Sequence, residues 1–104
     1  MIISGGANIY PQEIENVLVS HPQVADVAVF GVPHPDIGEQ VKALVQPVRW
    51  EEAGPELEQA LEAWCREHLL PIKLPRSIEF EAALPRAENG KLYKSELRAR
   101  YWPQ

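Results

Sequence analysis

Val24-Ala25-Asp26-Val27-Ala28-Val29-Phe30 is an apolar run interrupted by one acid, and it reads as a central strand with both faces covered. Downstream, Gly31-Val32-Pro33-His34-Pro35-Asp36-Ile37-Gly38 reads as a loop by its prolines and glycines. Val41, Ala43 and Val45 then alternate with Lys42, Leu44 and Gln46, which predicts a second strand facing the core on one side. Upstream, Pro11 stands at a favourable first helical position and Glu13 and Glu15 complement a positive first turn. Ile14, Val17 and Leu18 supply the apolar face of that helix, and His21-Pro22 stops it. Ile2 to Ile9 reads as a short hairpin turning at Gly5-Gly6, because glycine takes positive φ without steric cost.

Pro47 to Gly54 is a connection. Pro55 opens a clearer helix, with Leu57, Ala60, Leu61, Trp64, Cys65 and His68 at helical spacing. Pro71 and Pro75 break the chain before Ser77-Ile78-Glu79-Phe80, a short strand. Tyr93, Leu97 and Tyr101 recur every four residues and predict a terminal helix. The expected fold is α+β over residues 1–104: a small, roughly three-stranded sheet flanked by helices, with an N-terminal β-hairpin.

One hundred and four residues make one domain, large enough to bury roughly three-fifths of its unfolded surface. No apolar run approaches the ~18 residues of a membrane span, and no stretch reads as a signal peptide. Cys65 has no second cysteine to pair with, which fits a reducing, cytoplasmic setting, and its place on the helical stripe marks it as packing. His34 and His68 have no metal-ligand spacing. The net charge of −5 is unevenly spread: residues 1–69 hold three basic and eleven acidic residues, residues 70–104 seven and four. A basic terminal third suits a local polyanion such as a nucleotide better than duplex nucleic acid. A solvated helix face of mixed charge accounts for the same counts.

Leu84-Pro85-Arg86-Ala87-Glu88-Asn89-Gly90-Lys91 makes a tight Asn-Gly turn, so its lysine projects from a loop tip at the base of a helix. An ammonium there has three donors and suits contact with several oxygens, but from the residues alone an ordinary exposed turn lysine is the better reading. The glycine spacing of a phosphate-binding P-loop is missing. Roughly eighty residues earlier stands Ser4-Gly5-Gly6-Ala7-Asn8-Ile9-Tyr10-Pro11-Gln12-Glu13-Ile14-Glu15.

Together, in this order, the two segments resemble the small C-terminal domain of the adenylate-forming enzymes, from Met1 to about Tyr101. The Ile2-to-Pro11 stretch is most similar to the acyl-CoA synthetase branch, which includes fatty-acid CoA ligases. The resemblance implies an AMP-forming acid–thiol ligase using ATP and CoA as substrates, with Mg²⁺ accompanying ATP but not bound by this domain. It makes Lys91 the catalytic lysine that bridges the acid's carboxylate and the α-phosphate. It implies a rotation after adenylation that brings Ser4, Gly5 and Gly6 to the CoA tunnel, with Lys73 and Arg76 near the CoA phosphates. Ile37 and Leu74 depart from relatives that carry an aromatic and a further basic residue there. The family's hinge would fall just before Met1, so the chain is expected to be an isolated, inactive C-terminal piece. Its partners would be its own N-terminal adenylation domain, a small carboxylic acid, ATP and CoA, with no nucleic acid and no transmembrane segment. Two alternatives are a domain that loads a carrier protein and a non-catalytic α+β interaction module.

Overall fold

The computed structural model describes residues 1–102 apart from Lys91 and Tyr93. Strands β1 (Ile2–Ser4) and β2 (Ala7–Ile9) form the hairpin, followed by helix α1 (Pro11–Val19). Strands β3 (Val24–His34) and β4 (Gly38–Pro47) follow, then helix α2 (Pro55–His68), strand β5 (Ser77–Phe80) and helix α3 (Lys94–Ala99). The strands make one five-stranded mixed sheet in which β3 runs antiparallel to β4 along nearly its full length. The other edge of β4 takes β1 at one end, through Ser4 opposite Gly38, and β5, in parallel, further along. The α+β architecture and its three main strands are as expected, and the hairpin joins the same sheet.

Three local expectations are corrected. Gly31 to His34 is not loop but the second half of β3, paired as far as His34 opposite Gly38. Pro33 is tolerated because β3 is an edge strand. It shares the parity of Val27 and Val29, whose N–H groups bond to side chains, so its missing N–H falls on the unpaired edge. The turn that remains is short, and His34 Nδ1 accepts the N–H of Asp36 at 3.1 Å.

The second correction concerns β4, which is buried on both faces. On one face Val41, Ala43 and Val45 pack with Val27 and Val29 under Ile14 and Leu18 of α1 and Leu57, Leu61 and Cys65 of α2. On the other, Leu44 joins Ala28, Phe30 and Val32 beneath Leu84 and Leu97, with Leu92 and Tyr101 at the margin. Lys42, read as solvent-facing, is only 5% exposed. Its ammonium pairs with Glu79 at 2.8 Å and lies 4.6 Å from the centre of the Tyr101 ring. The cause is the C-terminal segment, which folds back over a face that alternation alone had assigned to water.

Third, the buried stripe of α2 is narrower than expected. Leu57, Leu61 and Cys65 are buried, whereas Ala60 and His68 are exposed. In the terminal segment, Tyr101 lies beyond the end of α3 but still packs on Phe30, ring centres 5.9 Å apart. Tyr93 lies outside the described residues.

Candidate functional site

The outer edge of β3 organises the chemistry. An edge strand exposes unpaired backbone groups, and this one satisfies three of them with side chains. Val27 N–H donates to Asp26 Oδ1 at 2.9 Å and Val29 N–H to Glu15 Oε2 at 2.9 Å. The carbonyl of Gly31 accepts the indole N–H of Trp102 at 2.8 Å. Glu15 therefore does more than complement a helix terminus. It is buried, and it also pairs with Lys94 of α3 at 2.8 Å. The same carboxylates that close the edge of β3 tie down the C-terminal segment.

Arg86 makes the firmest of these ties. Its Nε and Nη2 both donate to the Asp26 carboxylate at 2.6 Å, a bidentate fork. Its third nitrogen, Nη1, donates to the carbonyl of Gly90 at 2.7 Å. The hydrogen bonds from Arg86 hold the Asp26 carboxyl below its usual range, and Asp26 in turn raises the arginine. Gly90 adopts a φ of +84°, and its N–H closes the turn on the carbonyl of Ala87 at 2.8 Å. Beyond the turn, Leu92 forms an antiparallel bridge with Arg86. Lys91, the residue expected to catalyse, lies outside the described residues.

A second constellation sits at the opposite end of the β3–β4 hairpin. Gly5 and Gly6 both take positive φ (+57° and +83°), as a two-residue hairpin turn of the primed type requires. Gly5 N–H bonds to the carbonyl of Ile37 at 3.0 Å, fixing the hairpin tip on the β3–β4 turn. Ser4, Gly5 and Arg76 line one cavity of about 260 Å³, together with Ile37 and Leu74. Gly6 and Lys73 are not part of its wall. Lys73 instead holds Glu13 of α1 at 2.9 Å.

The pairing of Lys73 is one case of a wider pattern. Arg86, Lys94, Arg98 and Arg100 also meet carboxylates, on Asp26, Glu15, Glu39 and Glu81. Among the described residues of the basic terminal third, Arg76 alone has no carboxylate partner, and its side chain is exposed. The charge asymmetry is mainly a docking code between the C-terminal segment and the acidic body. From Asp26 to His34 the strand spans eight residues, or ~26 Å, so the turn that Arg86 holds at Gly90 and the glycine hairpin lie at opposite ends of that strand.

The five-stranded mixed sheet, with its glycine hairpin at one end and the Arg86-held turn at the other, has the α+β architecture of the C-terminal domain of adenylate-forming enzymes. A family model described as the AMP-binding enzyme C-terminal domain matches residues 13–91, and the chain belongs to that family. It is 46% identical over 102 residues to a feruloyl-CoA synthase of an Amycolatopsis species, covering 97% of this chain and 20% of that protein. It is 42% identical over 101 residues to a long-chain-fatty-acid–CoA ligase of Mycobacterium tuberculosis, covering 97% of this chain and 19% of the ligase. The chain thus spans about a fifth of the curated relatives it matches.

Among solved structures, a fatty acyl CoA synthetase of M. tuberculosis aligns with a TM-score of 0.87 at 40% identity, over 99% of this chain and 20% of that one. An anthranilate CoA ligase in complex with anthranoyl-AMP aligns at 0.90 and 30% identity, over 98% of this chain and 20% of that one. Among the described residues, no helix is long and apolar enough to cross a membrane.

Proposed function

We propose that this domain serves both half-reactions of an ATP-dependent, AMP-forming acyl-CoA synthetase, presenting a different end to the active site in each. In the first, a substrate carboxylate oxygen attacks the α-phosphorus of ATP, the bond to the β-phosphate oxygen breaks, and pyrophosphate leaves an acyl-adenylate. Lys91 supplies a positive charge to the carboxylate and the α-phosphate oxygens as negative charge builds there. A fixed ammonium at that point is a preorganised electrostatic stabiliser.

In the second half-reaction the CoA thiolate attacks the acyl carbonyl and AMP leaves. Ser4, Gly5 and Gly6 then line the path of the pantetheine arm, where backbone without a β-carbon leaves room for it. Arg76, which has no carboxylate partner among the described residues, takes a CoA phosphate by charge-assisted bonds. Lys73 joins it by exchanging Glu13, an exchange of partly exposed partners that costs roughly 1 kcal/mol or less.

The observation that carries this reading is the separation of the two sites along the β3–β4 hairpin. One orientation of a rigid domain cannot present both ends to one reaction centre, so using both requires the domain to turn. The large N-terminal domain, the acid, ATP and CoA are the partners this assigns. The test is reconstitution: joining this chain to an adenylating N-terminal domain that lacks its own C-terminal domain restores acyl-CoA formation from free CoA. A non-catalytic interaction module gives no gain. Restoration only with a phosphopantetheine-bearing carrier protein would instead support the carrier-loading alternative.

A further inference from the structure

Residue 86 grips the chain on both sides of position 91. Its guanidinium holds the carbonyl of Gly90 at 2.7 Å, and its own backbone bridges Leu92. The remaining two donors of the fork are anchored on Asp26, whose Oδ1 is itself fixed by the N–H of Val27. Asp26 stands near the start of β3, beside the register shift between Val24 and Asp26 and on a strand backed by two core layers. A rigid element is thus connected, through one planar side chain, to the carbonyl of Gly90, the residue before position 91.

We infer that Arg86, oriented by Asp26, is the positioning residue for Lys91 in the adenylation half-reaction. The inference rests on the catalytic role proposed for Lys91 and adds the device that sets its approach. Three separate hydrogen bonds in one plane demand a guanidinium; a lysine at position 86 keeps the charge and loses the fork. The side chain of Arg86 is 41% exposed, so its ion pair contributes little to overall stability and its geometric role can be tested separately.

The experiment measures acid-dependent pyrophosphate release by the intact synthetase carrying Arg86→Ala, Arg86→Lys, Lys91→Ala and the double variant Arg86→Ala/Lys91→Ala. Misplacing a catalytic group by about 1 Å costs up to ~100-fold, so Arg86→Ala lowers adenylation kcat by roughly 10- to 100-fold. The KM values for acid and ATP stay within about twofold, since ground-state binding is untouched. Arg86→Lys behaves as the alanine variant does, and thermal melting of both stays close to that of the parent. In the double variant the rate is no lower than in Lys91→Ala alone, because a positioning residue has nothing left to position.

Independent, multiplying losses in the double variant overturn the inference while leaving the role of Lys91 intact. So does a full rate in Arg86→Lys, or a defect confined to KM. Unimpaired adenylation by Lys91→Ala removes the proposed catalytic role itself, and this inference with it.

Discussion

Replacing Lys42 separates two contributions that the sheet combines at one position. The ammonium pairs with Glu79 at 2.8 Å, but the Glu79 side chain is 53% exposed, so the ion pair is worth at most ~1 kcal/mol. The ring of Tyr101 adds roughly 0.5–1 kcal/mol as a cation–π partner. The stem runs through the second core layer beside Tyr101. Lys42→Ala removes three buried methylenes at ~0.8 kcal/mol each, about 2.4 kcal/mol before any relaxation. Lys42→Ala should therefore cost about 3–4 kcal/mol, and Lys42→Met, which keeps the stem, about 1–2 kcal/mol. Urea unfolding of this chain at neutral pH, with m-values compared, resolves that difference. Equal losses in the two variants would show that charge rather than packing holds this position. Losses below about 0.5 kcal/mol in both would mean that the C-terminal segment does not cover β4 in solution.

Other outcomes follow from the same contacts. Arg86 depresses the pKa of Asp26, and Lys42, with help from Tyr101, depresses that of Glu79. Their stabilisation is complete above the ordinary carboxylate pKa of ~4 and is lost as pH falls through the lower folded values. Stability measured against pH should therefore drop on the acid side, and Asp26→Asn should flatten that drop. Burial pushes the Cys65 thiol up to about 11, so a thiol-specific reagent should label it only when the chain unfolds; rapid labelling of folded protein would contradict its placement. Leu97 is fully buried between α3 and the sheet, and Leu97→Ala should cost about 2–4 kcal/mol in the same urea assay.

Much of the frame was legible in the residues. Pro11 and Pro55 open α1 and α2 where a missing N–H costs nothing, and Gly5-Gly6 makes the hairpin turn its two positive φ values demand. What escaped was set by partners remote in sequence. Alternation placed Lys42 in water because nothing near it announces that Leu84, Leu97 and Tyr101 cover that face. Glu15 looked like a helix-start acid, whereas the open edge of β3 recruits it. Pro33 looked like a loop marker, whereas an edge strand accepts proline at the parity that faces outward. Lys73 and Arg76 looked equivalent as phosphate ligands, yet Glu13, sixty residues from Lys73, takes one of them and leaves the other available. The turn motif itself was clear, but the function of its arginine was not, since the Asp26 that orients it lies sixty residues away.

The proposed role of Lys91 is to supply a charge used in one half-reaction only. Its most direct measurement compares the two half-reactions of the intact synthetase carrying Lys91→Ala: pyrophosphate release from acid and ATP, and thioester formation from supplied acyl-adenylate and CoA. The expected result is a loss of roughly 100- to 1,000-fold in the first, the scale of a lost electrostatic stabiliser, with a far smaller change in the second. Equal losses in both, or an intact first step, would contradict it.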